Sequence, residues 1–251
     1  IVRAILDVLL KRGMGMYSFN ARIRYSEVGE DQQLTVPGVV NYLQDCSTFQ
    51  SEDLKMGLEY LKKRERAWWL SSWQVLVKRY PRLGEEIVVS TWPYDFKGMY
   101  GYRNFVIQDR QGDCLVKANS VWFLFDTAAG RPVKVREEDI RGYGPGEDKL
   151  DMEYAPRRIA MPEAYEKKDA VPVMRHCIDT NRHVNNAWYV AAAWEALPEG
   201  LKVCEIRAEY KKAAVLGDVM IPKVSCRGKD YTVILSSRED LIYAVVWLRT
   251  E

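Results

Sequence analysis

Histidine is almost missing from this chain: among 251 residues only His176 and His183 carry an imidazole. Cysteine is scarce as well, and the five present (Cys46, Cys114, Cys177, Cys204 and Cys226) never stand in a CxxC spacing. Without clustered Cys and His there is no zinc-type ligand set, so no metal is expected. An odd, scattered set of cysteines reads as free thiols in a reducing compartment. An excess of one charge is also lacking. The 37 basic residues nearly balance 35 acidic ones, leaving a net charge of +2, which excludes the basic footprint of a dedicated nucleic-acid binder. No apolar run reaches the roughly 18 residues a bilayer span requires, so no membrane span is expected.

What is present favours strands. Hydrophobic residues make up 47% of the chain, with 15 Tyr and 8 Trp, enough for one large domain or two small ones with sizeable cores. Residues 1–16 are basic and apolar, lack a secretory cleavage pattern, and are expected to form an N-terminal extension. "YSFNARIRYSEV" (17–28) alternates like a half-buried strand. "TVPGVVNYLQDCSTFQSEDL" reads as a helix capped by Thr35, with Pro37 in its first turn and Val39, Val40, Leu43 and Phe49 as its apolar stripe. Four strand-like runs follow to about residue 135. Residues 136–170, rich in charge, Gly and Pro, read as a linker. From 171 to 251 the plan repeats: "PVMRHCID" as a strand, "NNAWYVAAAWEAL" as a helix capped by Asn185 or Asn186, then further strands. A helix followed by antiparallel strands, twice over, predicts an α+β fold of two tandem units, 17–135 and 171–251. Laying "DQQLTVPGVVNYLQD" over "DTNRHVNNAWYVAAA" pairs Asp31 with Asp179, Gln33 with Asn181 and Thr35 with His183. In that alignment only the second unit keeps an ionisable trio.

Asp179, Asn181 and His183 occupy alternate positions just ahead of a helix. In an extended segment they would share one face over roughly 13 Å. The helix start adds unpaired N–H groups and partial positive charge suited to a developing oxyanion. An acid, a base-capable imidazole, an amide and a helix N-terminus are the parts needed for acyl transfer to water. Turn formation and capping by Asp and Asn, with an inert histidine, is the competing structural reading.

"IDTNRHVNNAWYV" resembles the D-x-N-x-H-V-N-N signature of the acyl-ACP thioesterases. "IRYSEVGEDQQLTVPGVVNYLQD", "VLVKRYPRLGEEIVVSTWP", "SVWFLFDTAAGRPVKV" and "AEYKKAAVLGD" resemble further segments of that family in matching order, from about Tyr17 to the C-terminus. The resemblance implies a double hotdog fold, each unit a long helix wrapped by an antiparallel sheet. The first unit would bind the acyl chain with a degenerate site, and the second would be catalytic. It also implies hydrolysis of the thioester between a fatty acyl chain and acyl carrier protein, in fatty acid biosynthesis, without cofactor. Asp179, Asn181 and His183 would be the active-site residues, with Asn185, Asn186, Glu195 and Glu209 as supporting candidates. Where the family has Glu then Cys, this chain has Ala213 and Ala214, which removes a carboxylate and a thiol.

An acyl-CoA thioesterase of hotdog type, a hotdog hydratase, and a non-catalytic acyl- or carrier-binding protein stand as alternatives. An acidic carrier would need a basic docking patch, for which residues 62–66, 78–82, 157–158 and 211–212 are available. A cytoplasmic enzyme is expected, with monomer and homodimer both open.

Overall fold

A computed structural model describes residues 15–144 and 146–251. The expected N-terminal extension, apart from residues 15 and 16, lies outside them. The strand-rich composition becomes one antiparallel sheet of 12 strands. In chain order these are β1 (Tyr17–Arg22), β2 (Arg66–Val77), β3 (Glu86–Lys97), β4 (Tyr100–Asp109), β5 (Cys114–Asp126), β6 (Arg131–Pro132), β7 (Glu166–Lys167), β8 (Val171–Pro172), β9 (Val203–Tyr210), β10 (Val219–Arg227), β11 (Asp230–Ser236) and β12 (Ile242–Thr250). The spatial order β1-β3-β4-β5-β2-β9-β12-β11-β10-β7, with β8 also on β10, reads the same from either end once the second-half strands are matched to the first. The two halves meet where β2 pairs with β9, from Ser72↔Glu209 to Leu76↔Glu205. This is a double hotdog arrangement, α+β in class.

Burial follows position in the sheet. Edge strand β1 alternates half-buried and exposed residues, as a strand wetted on one face does. Central β2 is buried without a break from Leu70 to Val75, because both its faces are covered. Helix α1 (Val36–Asp53) covers the inner face with Val39, Val40, Leu43 and Cys46. It begins as expected, with Thr35 Oγ1 accepting from Gly38 N at 3.2 Å. Phe49 departs from the expected stripe: it is exposed and stands edge-on to Phe19. A short α2 (Leu58–Lys63) leads into β2, α3 (Glu137–Ile140) follows the first half, and α4 (Asn186–Glu195) is the second half's central helix, packed against α1.

The segment after α3 crosses the outer face of the sheet. Side chains from three strands hold its backbone there: Asn104 Oδ1 accepts from Leu150 N at 3.0 Å, Gln74 Oε1 from Ala155 N at 2.9 Å, and Glu209 Oε2 from Ile159 N at 3.1 Å. Polar residues inside a sheet are thereby satisfied.

Two strand expectations shorten. "YSFNARIRYSEV" is a strand only to Arg22, and of "PVMRHCID" only Pro172 is, at the end of β8; each then enters a 3-10 turn, Tyr25–Glu27 and Arg175–Cys177. The chain must leave the sheet edge there to reach the helix, and Val173 and Cys177 are buried through the turn rather than by alternation along a strand.

The internal repeat is real, but its register differs from the one read by matching Asp31 to Asp179. Gly29 N donates to Gln33 O and Gln32 N to Gly29 O; in the second half Asp179 N donates to His183 O and Arg182 N to Asp179 O. Gln32 and Arg182 share a left-handed φ of 60° and 61°. Gly29 therefore falls on Asp179, Asp31 on Asn181, Gln33 on His183 and Thr35 on Asn185. With few identities available, pairing like residues misplaced the alignment by two positions.

Candidate active site

The loop from Asp179 to Val184 is a closed turn, so the extended 13 Å spread expected for the trio does not occur. Asp179 makes the turn. Its Oδ1 accepts from Asn181 N at 2.8 Å and from His183 N at 3.2 Å, while Ile178 and Val184 pair across the base. Gly29 has no side chain to do this in the first half, where Asp31 Oδ1 instead accepts from Gln33 N at 3.0 Å. The loop is tied to the strand turn that follows β9: Val184 N donates to Ala214 O at 2.9 Å, and His183 bridges to Val215.

The trio sits where the halves meet. The half-buried His183 ring stands edge-on to Trp69 of β2, with centroids 5.5 Å apart, and Trp69 in turn stacks on Phe125 at 3.7 Å. This clamp fixes the imidazole plane. Asn181 is exposed on the loop and, with Thr180, lines a cavity of about 450 Å³ that is otherwise built from the first half and from Tyr143 just after it. Asp179, Asn181 and His183 are thus brought into one turn beside a cavity of ligand size.

The supporting candidates divide. Asn185 caps α4, accepting from Ala187 N at 3.0 Å. Asn186 ties that helix start to α1 through Nδ2 to Gln44 Oε1 at 2.9 Å, and its carbonyl accepts from Tyr210 OH at 3.0 Å. Both stand at the loop. Glu209 does not reach it: its carboxylate is occupied by Ile159 N and by Lys211 Nζ at 2.9 Å. Glu195 is exposed at the far end of α4 and borders a different groove. Among the described residues no His/Cys/Asp/Glu group is arranged to hold a metal ion.

Tyr189 was not singled out from the sequence. It lies one turn into α4, and its hydroxyl accepts from Ala214 N at 2.8 Å. Burial, opposed by that hydrogen bond and reinforced by the Asp179 charge, pushes its phenol up to about 12. The signal was legible as the first tyrosine after the asparagine pair, one helical turn beyond the cap. Ala213 and Ala214 lie beside this cluster, so the missing carboxylate and thiol leave apolar methyl groups there.

Of the first half's aromatic residues, Trp68 and Trp122 line the cavity with Phe96. Trp69 and Phe125 pack under His183 instead, while Trp73, Trp92 and Phe105 are buried. Ser47, Thr48 and Ser51 of α1 also face the cavity, but each donates its hydroxyl back to a carbonyl of its own helix. Their donors are already satisfied, which leaves that wall tolerant of hydrocarbon.

A family model described as "Acyl-ACP thioesterase N-terminal domain" matches residues 15–143, just over half of the chain. The chain belongs to the acyl-ACP thioesterase family. The chloroplastic acyl-[acyl-carrier-protein] hydrolase FATB2 of Cuphea viscosissima is 27% identical over 212 residues, covering 77% of this chain and 51% of that protein. The chloroplastic palmitoyl-acyl carrier protein thioesterase of Cuphea hookeriana is 28% identical over 211 residues, covering 77% and 50%. The chain spans about half the length of these curated relatives. In fold it is similar to an acyl-ACP thioesterase from Bacteroides thetaiotaomicron (TM-score 0.85, 18% identity, covering 94% of this chain and 98% of that one). It is likewise similar to the 12:0-ACP thioesterase from Umbellularia californica (TM-score 0.83, 21% identity, 96% and 98%). The matched family segment is the cavity-bearing first half; the Asp179–His183 loop lies beyond it.

Proposed function

We propose that this member of the acyl-ACP thioesterase family hydrolyses the thioester of a fatty acyl chain carried on acyl carrier protein, releasing free fatty acid and carrier thiol in fatty acid biosynthesis. The observation that carries the reading is that the second half's signature loop forms part of the wall of the first half's cavity. A chain lying against Trp68, Phe96 and Trp122 would bring its thioester to Asn181.

In this mechanism Asp179 works through two oxygens. Oδ1 holds the loop, and Oδ2 is left to take a proton from water. His183, its ring plane set by Trp69, positions that water and assists the proton transfer. Asn181 donates its amide to the thioester carbonyl. The first amide of α4, at Asn186, has no acceptor within its own helix and faces the charge that builds on the carbonyl oxygen.

Docking of the acidic carrier is assigned to the exposed cations at the cavity and loop. Lys62 is exposed and lines the cavity, and Lys212 is exposed beside Ala213. Within the 78–82 stretch Arg79 is tied to Glu85 and Asp109, which leaves Lys78 and Arg82 as its exposed cations. Free cysteines at all five positions support a reducing compartment such as the cytoplasm. No helix of the described residues is long and apolar enough to cross a membrane.

Turnover of matched acyl-carrier and acyl-CoA thioesters tests the assignment. The carrier-linked substrate is expected to be cleaved with the higher kcat/KM; preference for acyl-CoA would move the protein to that substrate class. Ala213 and Ala214 favour one other reading, a binder that lost its chemistry, which predicts a stable complex and no free thiol.

A further inference from the structure

Arg103 in β4 is 8% exposed and lines the cavity. Nη1 donates to Gln50 Oε1 and to Thr91 Oγ1, and the guanidinium lies 5.4 Å from the centre of the Tyr143 ring. None of these partners carries a negative charge. Burial alone holds the guanidinium below its ordinary value, with no carboxylate among the groups acting on it. Buried cations are ordinarily paired. A guanidinium has five N–H donors in a planar fork, yet Nε and Nη2 have no protein acceptor among the described residues. The open space this residue borders is the cavity.

A hydrocarbon chain pressed against those N–H groups would strip their water and return no hydrogen bond. An oxygen on the chain would return one. We propose that Arg103 recognises an oxygen function on the acyl chain beyond the thioester, making the cavity selective for oxygenated over purely hydrocarbon chains. The shared chemistry is a hydrogen-bond acceptor, which a hydroxyl, an oxo group or a second carboxylate can supply. This rests on the cavity being the acyl site, as argued above.

The test is equilibrium binding of free acids, which needs no catalysis. Hexadecanoic acid, its hydroxy and oxo positional isomers and the corresponding dicarboxylic acid are titrated into the purified chain, followed through its tryptophan fluorescence, to which Trp68 and Trp122 contribute from the cavity wall. At least one oxygenated acid is expected to bind about tenfold or more tightly than the parent, and the identity of that acid separates the three sources of oxygen. Arg103→Met is expected to abolish the advantage and Arg103→Lys to retain part of it. Should Arg103→Met fail to fold, the comparison among acids on the unaltered protein still decides. Equal or weaker binding of every oxygenated acid, or an advantage that survives in Arg103→Met, overturns the proposal. Cleavage of an unsubstituted acyl carrier without any oxygen preference would remove this inference and leave the hydrolase; absence of binding by every acid would remove the acyl site itself.

Discussion

Asp179 separates into a structural oxygen and a chemical one, and a single substitution tells them apart. Asparagine keeps an Oδ1 able to accept from Asn181 N and His183 N, but it cannot take a proton. Asp179→Asn should therefore melt close to the unaltered protein while losing on the order of a hundredfold or more in kcat. Asp179→Ala should lose the rate and about 1 kcal/mol of stability as well; a fully active Asp179→Asn would reduce Asp179 to a loop staple. The adjoining departure from the family can be reversed directly. Ala213 is half-buried beside the loop, and Ala213→Glu is expected to raise kcat about tenfold or more by returning a proton acceptor. An unchanged kcat would mean that the cluster around Tyr189 and Asp179 already does without one.

Helices α1 and α4 start in the same way, with Thr35 and Asn185 at equivalent places in the repeat and each side chain accepting an amide of the first turn. Removing either cap should cost about 1 kcal/mol in denaturant unfolding. Only Asn185→Ala should also lower turnover, because only that cap joins the Asp179–Val184 loop; equal loss of rate in Thr35→Ala would contradict the assignment of the site to the second half. Both helices were legible in sequence because Thr35, Pro37 and Asn185 are local signals acting within one turn. The loop was not. Its turn passes through a left-handed residue that is Arg182 here and Gln32 in the first half, and a non-glycine in that region carries no mark that a sequence reading can use. The three residues stood out in sequence, but the shape of the turn that holds them did not. Trp69 and Gln44, which bring the first half to His183 and Asn186, were out of reach for another reason: they are distant in sequence and meet the loop only through the packing of the two halves.

One continuous sheet makes the halves interdependent. Beyond the β2–β9 pairing, Tyr80 of the first half donates to Val203 O of the second at 2.9 Å. Burial raises the phenols of Tyr80, Tyr189 and Tyr210 above their ordinary value. The folded chain thus keeps protons that the unfolded chain releases near pH 10. The stabilisation is complete below that pH and declines above it, by about 1.4 kcal/mol per pH unit for each such tyrosine until its folded value is reached. Urea midpoints should fall between about pH 10 and pH 11, less steeply in Tyr80→Phe; a flat profile would show that these phenols titrate as if exposed. The double layout was legible because the order helix-then-strands recurs along the chain, whereas the absence of a matching carboxylate in the first loop became visible only once Gly29 was placed against Asp179. The most direct test of the central claim, that a loop of one half cleaves a thioester held by the other, is release of carrier thiol from a fatty acyl carrier by the purified chain and by His183→Ala. The account predicts repeated turnover by the former, and by the latter a loss of about a hundredfold or more with acyl-carrier binding retained; undiminished release by His183→Ala, or a tight complex with no release by either, would contradict it.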